Sequence, residues 1–442
     1  MRDLPEPQRS LVASLWDVAA YGAMVGVGES YIGWYAVHRG APAWLQGLLP
    51  TLSMFLGSLV QIPCANLMER SPRRRTLYMA GAVVQALLWL PILATLALPR
   101  DAALALLVAS FAAYLGAVNF SAPAWYSTMG DLVPPAERGR YFARRTRIFY
   151  VSLLVAQLSG GAILEACETH GMALRGFAAI FAAALLARFL SVAWLGGMKE
   201  PPYVPRPDAG FTLWEFVRAT PRANYARFVL YTALFSMGVH LAVPFFDPYI
   251  KHDLRFSHVE YSLILAAATA GQIAQLYTWG PLCDRFGTKR ILSFCGMGIS
   301  FIPLAWTFFR SPWSIGVLQF IQGGIWSGFN LSLGNYTLDA VTPERRARCY
   351  AYFSVLNGAG VCAGGLLGSA LVGHLPGEIL GYALFSPFHV LLVLSTAIRF
   401  AVHIVFVRTF REVRTVPGIS TMGLLVRATH VRAISYLLPG SR

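Results

Sequence analysis

Asp17, Glu29, Arg188, His240, Asp247 and Arg399 are ionisable side chains set within otherwise apolar stretches. An ionisable group held in hydrocarbon costs about 2.5 kcal/mol or more, so each needs a partner or a task. Glu29 lies in Gly26-Val27-Gly28-Glu29-Ser30-Tyr31, near the middle of its stretch. Burial favours the neutral, protonated form of a carboxyl. Glu29 is therefore a candidate for carrying a proton or contacting a solute, with an ion pair to Arg188 as the alternative. Arg188 and Arg399 read as structural charges. Asp17 and Glu29 are the acids available to Arg188, whereas no acid lies near Arg399 in sequence. His240 and Asp247, in Pro244-Phe245-Phe246-Asp247-Pro248-Tyr249, are further candidates for proton or solute contact. A lone histidine is more often a satisfied packing residue.

Neutral polar and aromatic residues in the same stretches could line a cavity. They are Gln61, Asn119, Trp125, Gln272, Gln275, Gln319, Gln322, Trp326 and Asn330. Gln272 and Gln275 share a helix face, as do Gln319 and Gln322, because residues three apart are neighbours. Interhelical hydrogen bonding explains part of this set without any ligand. The glycine series Gly22-Gly26 and Gly360-Gly364-Gly368 permit close helix approach. No His-Glu-x-x-His, nucleophile triad or phosphate-binding glycine loop occurs, so no enzymatic activity and no cofactor are expected. The six cysteines are scattered without a Cys-x-x-Cys, and neither a structural disulfide nor a metal site is expected.

The elements that must hold these residues are long apolar helices. The chain has 442 residues, 56% hydrophobic and only 13% charged, with mean hydropathy +0.53. A soluble globular chain carries about 25% charge, so a soluble enzyme and a disordered chain are excluded. Runs long enough for a membrane helix of about 20 residues occur near 14–38, 43–65, 76–98, 102–130, 148–166, 176–197, 228–249, 259–282, 290–309, 313–338, 351–373 and 387–408. The net charge of +15 does not mark a nucleic-acid binder, because the basic residues alternate by loop. The N-terminus, the even-numbered loops and the tail hold 28 Lys and Arg, the odd-numbered loops 6. The positive-inside rule then places both termini in the cytoplasm. The first run, which contains Asp17 and Glu29, reads as a retained helix and not a signal peptide. Four parts are expected: residues 1–198, a linker 199–227, residues 228–410, and a tail 411–442 that could lie as an interfacial helix.

The two halves repeat. Asp131, Val133, Pro135, Arg138 and Arg140 match Asp339, Val341, Pro343, Arg346 and Arg348 at an offset of 208. Glu69, Arg70 and the run Arg73 to Arg75 match Asp284, Arg285, Thr288, Lys289 and Arg290 at 215, and Arg188-Phe189 matches Arg399-Phe400 at 211. Ordered marks at nearly one offset argue for duplication of a six-helix unit in one orientation.

The stretch Gly280-Pro281-Leu282-Cys283-Asp284-Arg285-Phe286-Gly287-Thr288-Lys289-Arg290 resembles the cytoplasmic loop signature of the major facilitator superfamily, with Thr288 where a basic residue is usual. The first-half copy is degenerate: Ala65 stands for the first Gly, Glu69 for Asp and Pro72 for the second Gly. The resemblance implies an all-α polytopic membrane protein of 12 transmembrane helices in two parallel six-helix halves. It also implies a cytoplasmic gate made of Glu69, Arg70, Gly280, Asp284, Arg285, Gly287, Lys289 and Arg290. The Arg of span 4 and the Gly-Pro-Gly-Gly pattern of span 5 usual in proton-coupled drug exporters are absent, and so is the sugar-porter signature.

Together these features lead to an expected function: a secondary active transporter. It would move a small organic solute across the bacterial inner membrane by alternating access, as a monomer in the bilayer, coupled to protons through Glu29. The rival expectation is a non-transporting relative that acts as assembly factor or sensor of a membrane complex. Degenerate Glu69 and Pro72 leave room for it.

Overall fold

A computed structural model describes residues 5–41, 55–70, 73–202, 211–246, 249–256, 258–372, 374–375, 378–379, 382–383, 386–417, 423–424 and 427. The first half contains α1 (Glu6–Val27), a 3-10 turn (Glu29–Tyr31), α2 (Ile32–His38), α3 (Gln61–Arg70), α4 (Arg74–Leu87), α5 (Trp89–Ala94), α6 (Arg100–Leu132), α7 (Arg138–Glu168) and α8 (Ala173–Gly196). A short α9 (Leu213–Arg218) lies in the linker, started by a reciprocal capping box between Thr212 and Glu215. The second half contains α10 (Asn224–His240), α11 (His258–Phe286), α12 (Thr288–Trp306), α13 (Pro312–Ala340), α14 (Arg346–Val372) and α15 (Phe388–Phe406). Every expected span holds helix. Among the described residues, eight helical segments are long and apolar enough to cross a membrane. A two-residue ladder pairs Glu378–Ile379 with Tyr382–Ala383.

Two boundaries differ from the hydropathy reading for a physical reason. The fifth span starts as helix at Arg138, ten residues before its apolar run, because arginines are good helix formers. Arg144, Arg145 and Arg147 are thus helical. The first span is interrupted: α1 stops at Val27, and Gly28 bends into the 3-10 turn. A Cβ on Gly28 would lie 2.5 Å from the Ala184 Cβ and within 2.8 Å of the Trp89 ring, so only glycine allows this close approach.

The helices pack in repeat-related pairs. α1 lies on α7 and α8, as α10 lies on α14 and α15; α4 and α6 pair as α12 and α13 do. The seam between halves is made by α7 against α11 and by α3 against α14. At the first contact, α1 approaches α7 through its own Gly22 and Gly26, which face the Phe149 and Leu153 carbonyls. At the equivalent contact, the glycines are on the partner helix: Gly360 and Gly364 of α14 face the Ala233 and Met237 carbonyls of α10. Equivalent carboxylates also start the third span of each half. Glu200 accepts the Arg74 and Arg75 N–H groups at 3.0 Å each, and Glu412 accepts the Lys289 N–H at 2.8 Å. An acid at a helix N-terminus is favoured by the exposed N–H groups and the helix dipole.

Candidate functional site

The face that carries the basic loops is closed by pairs that cross the seam. Arg346 Nη1 donates to Asp131 Oδ1 at 2.7 Å, and Arg138 Nη1 donates to Asp339 Oδ1 at 3.0 Å. Each arginine therefore pairs with the aspartate of the opposite half. Asp131 also holds Arg74, at 2.6 Å, and Arg74 is fully buried. Tyr126 stacks on Tyr350 at 4.4 Å between centroids and donates to the Gly334 carbonyl. Arg348 donates to Asn66 Oδ1 at 2.8 Å.

The motif residues join the same closure. Asp284 Oδ1 accepts the Gly139 N–H at 2.9 Å and its Oδ2 the Arg140 N–H at 3.0 Å, so Asp284 seats on the first turn of α7. Asp284 lies beyond the apolar stretch of its helix. Its burial pushes the carboxyl above the usual aspartate value, against the two N–H groups, Arg414 and Arg140. A Cβ on Gly280 would sit 2.8 Å from that of Ala143, so glycine lets α11 approach α7. Gly287 has φ +89°, a conformation that favours glycine. Lys289 Nζ sits 5.3 Å from the Phe410 ring centre, Arg285 Cζ 5.3 Å from that of Phe286, and Arg290 donates to the Phe286 and Pro417 carbonyls. Arg70 is exposed at the end of α3, and the Glu69 side chain and Pro72 lie outside the described residues.

A cavity of about 440 Å³ opens behind this closure. It is lined by Asp17 and Tyr21 of α1, Tyr78 of α4, Ser121 and Trp125 of α6, Arg145, Phe149 and Tyr150 of α7, and Arg188 of α8, with Tyr350 reaching in from the second half. Its charges form one network. Arg145 Nη2 pairs with Asp17 Oδ2 at 3.1 Å and its Nε donates to Ser14 at 3.1 Å. Arg188 Nη1 donates to Ser191 Oγ at 2.6 Å, and Ser191 donates to Asp17 Oδ1 at 2.7 Å. The acid connected to Arg188 is thus Asp17, through a serine. Cation–π contacts hold both guanidinium planes: Arg145 Cζ lies 4.2 Å from the Trp125 ring centre and Arg188 Cζ 5.0 Å from that of Tyr21.

Glu29 stands apart from this cavity, at the interruption of the first span. Its Oε2 accepts a hydrogen bond from Tyr114 Oη at 2.8 Å, and Tyr114 packs edge-on against Trp89. His240 closes α10 just before the chain turns into the 3-10 segment Val243–Phe245, and its Nδ1 lies 3.0 Å from the Ser236 carbonyl. Asp247 lies outside the described residues. Arg399 is held by carbonyls alone among the described residues: Gly238 at 3.4 Å, Val239 at 3.2 Å and Ile299 at 3.3 Å. The Gly238 and Val239 carbonyls are available because they sit in the last turn of α10, whereas Ile299 lies inside α12.

The remaining polar candidates are spread over both halves. Gln61 donates to Asn119 at 2.8 Å, and the Trp306 indole reaches Gln322 at 3.5 Å. Gln275 and Gln319 each keep a buried Oε1 without a partner among the described residues. Gln272 is half-buried, Trp326 packs edge-on against Phe329, and Asn330 is exposed. Trp125 is the member of this set that lines the cavity. Sequence reasoning missed Arg145, Tyr21, Tyr78, Tyr150 and Tyr350. The buried Asp17, which required a cation, was the available signal for Arg145.

Comparison with known proteins agrees with this architecture. The family model described as Major Facilitator Superfamily matches residues 18–242 and 228–428. A gallate transporter of Pseudomonas putida is 28% identical over 130 residues, which is 28% of each chain. A multi-drug resistance efflux pump PmrA homolog of Lactococcus lactis subsp. lactis (strain IL1403) is 30% identical over 154 residues, 32% of this chain and 36% of that one. The matched stretches thus span about a third of those relatives. Among solved structures, the proton:xylose symporter XylE superposes with TM-score 0.69 at 10% identity, over 95% of this chain and 98% of that one. An outward-facing bacterial homologue of the iron transporter ferroportin superposes with TM-score 0.67 at 14% identity, over 92% and 99%. The family is one of membrane transporters and not of enzymes. By the match over nearly its whole length, the chain belongs to the Major Facilitator Superfamily.

Proposed function

We propose that this protein is a secondary active transporter that moves a small organic solute across the bacterial inner membrane by alternating access, coupled to protons through Glu29. The observation that carries the reading is the crossed pair Arg346–Asp131 and Arg138–Asp339. Two halves joined at one face by exchangeable ion pairs can rock apart there, which is what alternating access around a midplane site requires. In this reading the closed basic face is cytoplasmic, both termini are cytoplasmic, and the working unit is a monomer. The names of the relatives, a gallate transporter and a multi-drug resistance efflux pump homolog, point towards organic solutes.

The test is uptake into proteoliposomes with an imposed pH gradient, screened over organic acids, sugars and cationic drugs. Accumulation that collapses with the gradient supports the reading. A folded, reconstituted protein that moves none of them and retains a stoichiometric protein partner through purification supports the non-transporting assembly factor or sensor instead.

A further inference from the structure

We propose that the cavity of the first half takes an organic monoanion with an aromatic ring, and that Arg188 and Tyr78 hold its acidic group. This rests on the transporter reading only for its consequence, since the binding itself is argued from the cavity.

The charges that line the cavity do not cancel. Arg145 and Arg188 face one acid, Asp17, so the set carries one net positive charge. Asp17 is committed on both oxygens, to Arg145 directly and to Ser191. Arg188 is 4% exposed. Its Nη1 is engaged by Ser191, and its Nε has no hydrogen-bond partner among the described residues. Tyr78, 1% exposed, has an Oη that is likewise unpartnered. Both residues line the cavity, with the two orphan atoms themselves buried in its wall. Buried donors are ordinarily satisfied, and an unsatisfied one calls for an acceptor. Two orphan donors with one surplus positive charge specify an anionic acceptor and disfavour a sugar, which brings no charge, or a cation, which Arg188 repels.

The aromatic part follows from the walls. Tyr21 stacks on Phe149 with 5.9 Å between centroids, and Trp125 and Tyr150 complete an aromatic lining. Flat apolar rings are the complement of a planar ring, which stacks on them in offset or edge geometry. The volume of about 440 Å³ falls within the range of roughly 300–1,000 Å³ typical of small-molecule sites. Tyr350, from the second half, covers the cavity and stacks on Tyr126 beside the crossed ion pairs. An occupant there contacts both halves.

The test is binding to the purified protein in detergent, read by isothermal calorimetry and thermal shift. The probes are benzoate and salicylate, with benzamide as the neutral isostere and benzylamine as the cation. Benzoate-type anions are expected to bind and raise the apparent melting temperature, whereas benzamide and benzylamine do not. Arg188→Gln is expected to weaken anion binding by about tenfold or more, the loss of a charge-assisted hydrogen bond. Tyr78→Phe removes only the orphan hydroxyl. It is expected to leave the unliganded melting temperature unchanged and weaken the anion several-fold. Benzamide binding as tightly as benzoate overturns the proposal, and so does anion binding that is unaltered in Tyr78→Phe. Anion binding without uptake in any proteoliposome assay overturns the transporter reading and leaves the site standing. Uptake of a neutral solute without anion binding does the reverse.

Discussion

Arg346 and Asp131 meet at 2.7 Å across the seam, and their repeat mates Arg138 and Asp339 meet at 3.0 Å with donor and acceptor exchanged between the halves. Removing one partner of a buried pair leaves an uncompensated charge, at a cost of about 3–5 kcal/mol. Asp339→Asn should therefore shift the protein away from the closed basic face. Spin labels on Ala136→Cys and Thr342→Cys, exposed positions on opposite sides of the seam, should report a longer distance. The charge swap Arg138→Asp with Asp339→Arg should restore the short one. An unchanged distance in Asp339→Asn would show that the pair does not hold the closure.

Asp284 gives the closure a pH dependence of determined sign. Its burial against α7 holds the carboxyl above its ordinary value, with the Gly139 and Arg140 N–H groups, Arg140 and Arg414 opposing. Once the face opens, the carboxyl is solvated and returns towards that ordinary value. The closed state binds the proton more tightly, so its advantage is full below the ordinary value and is lost as pH rises through the raised one. Acidification should therefore increase the closed population in the same spin-label measurement. Asp284→Asn keeps the Oδ1 acceptor without the charge and should flatten that response. A closed population that falls on acidification would mean that the carboxylate charge dominates the contact.

Among the described residues, Glu29 is held by a single side-chain hydrogen bond, from Tyr114. If it carries the coupling proton, Glu29→Gln should abolish accumulation driven by a pH gradient and spare solute exchange at equal pH. Tyr114→Phe removes one hydrogen bond, worth about 1.5–3 kcal/mol when the acceptor is charged. It should change the pH profile of uptake while coupling persists. Normal uphill uptake by Glu29→Gln would take Glu29 out of the mechanism.

The fold was legible in the sequence because three signals agreed: apolar run length, the alternation of basic loops, and ordered repeat marks. Asp131, Arg138, Asp339 and Arg346 were visible there as repeat marks. Their crossed pairing was not, because a repeat offset aligns each half with the other and says nothing of which face meets which. Glu29 and His240 are 211 apart, the interval between Arg188 and Arg399, and each sits where the first helix of its half breaks. That equivalence was readable from the offset alone. The cavity was harder. Arg145 looks like a loop cation until α7 is seen to begin at Arg138, and Tyr78 and Tyr350 reach the cavity through tertiary packing that no local pattern encodes.

The glycine contacts show how one packing solution is reached from two sequences. At the α1–α7 crossing the side chain is missing from Gly26, and at the α10–α14 crossing it is missing from Gly364. Only one of two crossing helices needs to lack a Cβ for the backbones to touch, so the duplicated halves are free to place the glycine on either. A Cβ on Gly26 or Gly364 would press into the Leu153 or Met237 carbonyl, and main chain yields poorly. Gly26→Ala and Gly364→Ala should each destabilise the protein by about 1–3 kcal/mol, the usual cost of overpacking. Gly33 supplies the control: a Cβ there meets nothing within 4 Å, and it lies inside α2. Gly33→Ala should stabilise by about 0.5–1 kcal/mol, through reduced freedom of the unfolded chain. Apparent melting temperatures of the three variants in one detergent decide the matter. A Gly26→Ala protein as stable as Gly33→Ala would mean that the crossing relaxes, and that backbone contact does not fix the α1–α7 distance.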